Sequence, residues 1–210
     1  MRRLVIDSAT EACSVALFEY EAFEDGKMMA GSHAMLGRGH AEQLVPMIAA
    51  LPGKGRADTI AVNAGPGSFT GIRVGLAAAR ALALAWQVPI EGYASLALVA
   101  AMGRAAHPGQ AIDVAMSGGH GEWFFQPFAA DGTALAEPAS LLPQAAAEVS
   151  RGSIVVGSQA EALAARRSDA PDAYPLWPDA RAFALLGRDA LRPDPAPSYG
   201  RAPDARLPAA

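Results

Sequence analysis

The chain is poor in cysteine, in net positive charge and in long unbroken apolar runs. Cys13 is its single cysteine, so no disulfide can form within the chain. It sits in the apolar-rich stretch 12–17 and reads as a small core residue. Formal net charge is −4 over 210 residues. A protein that grips nucleic acid unaided usually carries a basic excess, because phosphate neutralisation drives such binding. Any role on nucleic acid is therefore expected to be shared with a more basic partner. The opening residues 1–7 hold too short an apolar stretch for a secretory signal, and Asp7 interrupts it. The longest apolar region, 74–86, is broken by Gly75 and Arg80. It falls short of the roughly 20 residues of a membrane span. These absences predict a cytoplasmic chain with no membrane contact.

Catalytic signatures are missing as well. There is no His-Glu-x-x-His, no Gly-x-Ser-x-Gly elbow, no P-loop and no Gly-x-Gly-x-x-Gly. His33, His40, His107 and His120 are scattered along the chain.

Apolar residues make up 51% of the chain and charged residues 18%, a globular composition. Strands are expected over 4–6, 14–18 and 27–35, with a solvated loop over 19–26. Leu44, Met47, Ile48 and Leu51 follow the spacing of one buried helix face. Pro46 lies inside that run, where it should kink the helix or shift its start. A strand over 59–63, a helix over 69–86, a strand over 88–90 and a helix over 95–103 complete an α/β lobe with a mixed sheet. The pattern then restarts, with strands over 111–116, 123–128 and 154–156 and short helices over 144–149 and 159–166. Trp123, Phe124 and Phe125, next to Glu122, suggest a strand with one buried face. The proline-rich tail from Arg192 is expected to be extended and loosely packed. No internal repeat is visible.

The segment 63–75 is the most informative. Gly65, Pro66, Gly67 and Gly71 form a glycine turn between a strand and a helix whose N-cap is Ser68. Such a junction presents free backbone N–H groups and could hold an anion. It serves equally as a tight connection that uses glycine for positive φ. The helix that follows is apolar nearly all round. One face can pack on the sheet, and Gly75, Ala77, Ala78, Ala79, Ala81, Ala83 and Ala85 leave a smooth surface that a second helix could approach. This predicts a subunit interface, with coverage by the second part of the chain as the alternative.

Three stretches, 6–17, 40–46 and 65–75, resemble the bacterial TsaB (YeaZ) family in order and spacing, as do 92–96 and the tail around Tyr199 and Arg201. The match covers about the first 100 residues. The resemblance implies an α/β fold of two lobes, the actin-like ATPase or ribonuclease H-like (ASKHA) architecture, with mixed sheets flanked by helices. Residues 1–103 would form the first lobe, carrying the motifs and the pairing helices. Residues 104–210 would form a smaller, divergent second lobe with the proline-rich tail. The family pairs with a larger catalytic paralogue, TsaD, and is joined by a small ATPase, TsaE. It supports ATP-dependent threonylcarbamoyl transfer to the adenosine beside the tRNA anticodon, and reaches tRNA indirectly through the complex. Members also form homodimers through helices of the first lobe. The implied partner interface is His40, Leu44, Met47, Ser68, Phe69, Thr70, Arg73, Val74, Ala77, Ala78 and Ala81.

Asp7, Ser8, Thr10 and Ser14 occupy the phosphate hairpin of actin-like ATPases, but Ala9 stands where glycine is usual, and its Cβ would hinder a phosphate. The paralogues place two histidines four residues apart on a helix to reach one metal. Here His40 is followed at that distance by Leu44, and a catalytic metal takes about three protein ligands. The expectation is therefore no metal, no catalytic residue and no cofactor of its own, with ATP or ADP bound weakly or at an interface if at all. The alternative is a stand-alone actin-like ATPase or phosphotransferase. The run before Gly121-Glu122 departs from the family pattern.

Overall fold

The computed structural model describes residues 1–21 and 26–200. Part of the loop expected over 19–26, and Arg201 of the tail, lie outside the described residues.

Strands β1 (Arg2–Asp7), β2 (Ala12–Tyr20) and β3 (Gly26–Met35) form an antiparallel meander. Helix α1 (His40–Ala49) leads to β4 (Thr59–Asn63), which lies parallel to β1. Helix α2 (Phe69–Trp86) leads to β5 (Ile90–Tyr93), parallel to β4. β5 begins two residues later than the sequence suggests, directly after Pro89, which has no N–H for a ladder. α1 begins at His40 and continues past the exposed Pro46 to Ala49.

Helix α3 (Ser95–Ala106) then crosses to a second sheet. There β6 (Ile112–Ser117), β7 (Trp123–Phe128) and β8 (Ala139–Leu141) form another meander. Helix α4 (Pro143–Val149), β9 (Ile154–Val156), helix α5 (Ala160–Ala164) and β10 (Asp172–Tyr174) follow, with β9 parallel to β6 and β10 parallel to β9. The first sheet runs β3-β2-β1-β4-β5 and the second β8-β7-β6-β9-β10. The same architecture therefore occurs twice, although the sequence shows no repeat.

α3 is packed on two sides. Leu96, Val99 and Ala100 join Ile112, Val114, Met116 and Phe124 of the second sheet. Leu98, one residue away on the helix, joins Val5, Ala16, Phe18 and Tyr93 of the first. The all-round burial expected of an apolar helix is thus realised by α3. The second sheet is covered on both faces. Phe124 and Phe128 face α3, while Trp123 and Phe125 pack with Ala146, Ala160 and Leu163 of α4 and α5. The expectation of one buried face for 123–125 is corrected accordingly.

After β10 the chain returns to the first lobe. Trp177 Nε1 donates to Glu11 Oε2 at 3.2 Å, and Ala180 N donates to Ser14 Oγ at 2.8 Å. A 3-10 turn, Ala180–Leu185, buries Phe183 against Phe18 and Tyr93. Strand β11 (Arg192–Pro193) then pairs with β5 as a sixth strand. The tail is therefore pinned as far as Gly200 rather than loose, because Ser198 N also donates to the Ala64 carbonyl at 2.7 Å.

If α3 joins the lobes, Leu98→Ala should cost roughly 2–5 kcal/mol of stability in urea unfolding. Leu84→Ala, at a residue 82% exposed on α2, should cost under about 0.5 kcal/mol. Equal costs would contradict this placement of the core.

Candidate functional site

Two regions gather the residues singled out by the sequence. The first lies at the carboxyl ends of β1, β4 and β5, where open α/β sheets commonly bind ligands. Asp7 ends β1 and is fully buried. Its Oδ2 accepts from Asn63 Nδ2 at 2.7 Å and from the Tyr93 hydroxyl at 2.9 Å. Asn63 Oδ1 accepts from Ser95 Oγ and from Gly65 N, both at 2.8 Å. The network thus joins three strand ends to the first turn of α3. Burial pushes the Asp7 carboxyl up from 3.8 to about 7, against the lowering effect of the three hydrogen bonds it accepts. Burial also raises the Tyr93 phenol well above 10, and the adjacent Asp7 adds to this. The Cys13 thiol is pushed up to about 11, chiefly by burial, which leaves it protonated and inert as a nucleophile.

The β1–β2 turn is closed by the start of α2. Ser68 N donates to the Ala9 carbonyl at 2.7 Å, and Ser8 Oγ donates to the Gly71 carbonyl at 2.9 Å. A Cβ on Gly67 would strike the Ala9 carbonyl, and one on Gly71 the Ser8 carbonyl. Both glycines are required for close approach; Gly65 alone of the turn has positive φ, 104°. Ser68 Oγ accepts from Gly71 N at 3.2 Å, so the N-terminus of α2 is capped from within. Ser8, Ala9 and Thr10 are all buried. Thr10 Oγ1 accepts from Ala12 N, and Ser14 Oγ is taken by Ala180. As folded, this turn does not fit a nucleotide phosphate.

The second region is the outer face of α2. With 18 residues and a mean hydropathy of 1.2, α2 is long and apolar enough to cross a membrane by length and composition. Only 33% of it is buried. Gly71, Ile72, Gly75, Leu76, Ala79 and Ala83 face the core. Phe69, Thr70, Ala77, Ala81 and Leu84 are exposed, and Val74 and Ala78 are half-buried, packed like Met47 of α1 against the first-sheet core. His40 and Leu44, expected at the same interface, point the other way. Leu44 is 1% exposed in the core, and a His40 ring nitrogen lies 3.3 Å from the Ala12 carbonyl, tying α1 to β2. The helical period puts them on the inner side of α1. Arg73 stacks over Phe69 with Cζ 3.7 Å from the ring centroid, and its Nε donates to the Tyr199 hydroxyl at 2.9 Å.

Sequence reasoning missed Asn63, Tyr93 and Ser95 as a unit. Each lies within a segment already singled out, at a strand end or a helix start, but their convergence depends on parallel register. In the second lobe Glu122 accepts from Ser140 Oγ at 2.6 Å, and His120 is exposed. Among the described residues, no group of three or more His, Cys, Asp or Glu is placed to hold a metal ion.

A family model described as "TsaD: tRNA N6-adenosine threonylcarbamoyltransferase" matches residues 34–172. The chain is 38% identical over 105 residues to the tRNA threonylcarbamoyladenosine biosynthesis protein TsaB of Escherichia coli K12, covering 48% of this chain and 43% of that one. It is 32% identical over 127 residues to the TsaB protein of Haemophilus influenzae, covering 58% and 51%. The chain belongs to the TsaB (YeaZ) family. Its matches span about half the length of these relatives. A solved Pseudomonas aeruginosa structure, described as an uncharacterized protein with similarity to peptidase YEAZ, superposes with a TM-score of 0.78 at 25% identity. It covers 95% of this chain and 99% of that one. The α/β fold implied by the resemblance, two mixed sheets flanked by helices, is the fold this family member has.

Asp7 holds a proton in the folded state that the unfolded chain gives up between about pH 4 and pH 7. Its contribution is therefore most favourable below about pH 4 and is lost as pH rises towards 7. The rise from 3.8 to about 7 corresponds to roughly 4 kcal/mol. Asp7→Asn should flatten the stability–pH curve across this window relative to the parent chain. Parallel curves in urea unfolding from pH 4 to pH 7.5 would reject the buried-acid assignment.

Proposed function

We propose that the chain is a non-catalytic partner subunit in tRNA threonylcarbamoyladenosine biosynthesis. It pairs with a TsaD paralogue and supports ATP-dependent threonylcarbamoyl transfer to the adenosine beside the anticodon. The observation that carries this reading is the outer face of α2: an apolar surface helix with only 33% of its length buried. Contiguous apolar surface of this kind marks an interaction site. It offers a docking face of Ala77, Ala78, Ala81 and Leu84. In this reading the α2 face meets protein rather than lipid, and the chain works in the cytoplasm.

Two further observations favour a supporting role over turnover. The β1–β2 turn is filled by α2, and the Asp7 carboxylate is turned into a buried network instead of towards solvent. Nucleotide and TsaE then meet the partner or the shared interface, and tRNA is reached through the complex. Alone, the chain uses the same face to form a homodimer.

Ala81→Glu should abolish pairing with the paralogue, because a buried unpaired carboxylate is introduced, while leaving the fold intact. Size-exclusion chromatography of the mixed proteins reads this directly, and normal complex formation by the variant would refute the docking face. The role is tested by reconstitution with the paralogue, TsaE and the carbamoyl-adenylate supplier. Threonine incorporation into unmodified tRNA should need this chain, and the chain alone should neither turn over nor bind Mg-ATP in calorimetry. Incorporation that is unchanged without the chain would reject the role.

A further inference from the structure

α2 carries two charged residues, Arg73 and Arg80, and no acidic one. They share a row with Ala77 and Leu84 at the i, i+4, i+7, i+11 spacing, and all four are exposed. The row runs along one edge of the apolar face. Both guanidinium groups are held in place by the tail. Arg73 bonds the Tyr199 hydroxyl, and Arg80 donates to the Pro195 carbonyl at 2.8 Å. These acceptors are neutral, so they fix the cations without cancelling their charge. Neither arginine is ion-paired among the described residues. The acidic residue of the neighbouring α1 is Glu42, in its first turn.

The docking face is therefore an apolar stripe with a preordered, uncompensated positive edge. A second copy would bring an identical row of arginines and no matching row of carboxylates. Like charges brought together at an interface are penalised, whereas complementary ones both steer and select the partner. We propose that Arg73 and Arg80, braced by the tail, are specificity residues that favour a partner presenting an apolar helix edged by carboxylates over a second copy of this chain. This rests on the α2 docking reading given above and adds to it the basis of partner choice.

The test measures affinity for the TsaD paralogue by calorimetry at about 50 and about 300 mM salt, and self-association by sedimentation equilibrium. Arg73→Gln and Arg80→Gln should each weaken the heteromeric complex about five-fold at low salt and little at high salt. Self-association should tighten by a similar factor. Tyr199→Phe keeps both charges and the ring, and should retain the salt dependence of the parent. Suppose both glutamine variants bind the paralogue with unchanged affinity and unchanged salt dependence, while Leu84→Glu abolishes the complex. Charge selection is then overturned although α2 docking stands. If Leu84→Glu leaves the complex intact, the docking reading itself falls.

Discussion

Asp7 accepts the Tyr93 hydroxyl and the Asn63 amide where β1, β4 and β5 end, and the placement of the surrounding elements follows from these bonds. Asn63 passes the constraint on to Ser95 and Gly65, which begin α3 and the glycine turn. That turn positions Ser68 over Ala9 and hence sets α2 on the sheet. The network is costly because it buries a carboxyl, and it survives because its side-chain polar atoms find partners. Open α/β sheets commonly bind ligands at strand ends of this kind. In this chain they close on each other.

The two long apolar helices show how far sequence reading reaches. α2 reads from its sequence as apolar nearly all round, while α3 reads simply as a helix over 95–103. It is α3 that meets the all-round expectation, by lying between the sheets, with Leu98 on one and Val99 on the other. α2 does not, and its Leu84 stands in the open. Periodicity identifies helices and their apolar faces, but it cannot say which of two similar helices the second lobe will cover. That depends on where the chain turns after residue 106, which is a property of tertiary packing.

The candidate site was legible in its parts and illegible in its joins. Asp7, the glycine turn and the stripe of alanines on α2 stood out in the sequence; the structure joins Asp7 to the turn through Asn63 and puts Ala77, Ala78 and Ala81 on the outer side of α2. His40 and Leu44 stood out as well, but the turn of α1 carries them inward. Tyr93, Asn63 and Ser95 gave no separate signal, because their meaning comes from the parallel register of three strands. The least legible element was the tail. Proline-rich composition suggests looseness, yet residues 192–200 complete a sheet, brace two arginines and meet Phe69 through Tyr199.

The return of the chain to its first lobe also bears on the order of synthesis. β5 gains its outer neighbour from residues 192–193, and Phe183 arrives between Phe18 and Tyr93 only after the second sheet has been made. During translation, which delivers domains from the N-terminal side first, the first sheet therefore waits with an open edge and an unfilled aromatic pocket while about a hundred residues emerge. An unpaired strand edge and exposed apolar surface are the features that promote aggregation, and both are present over that interval.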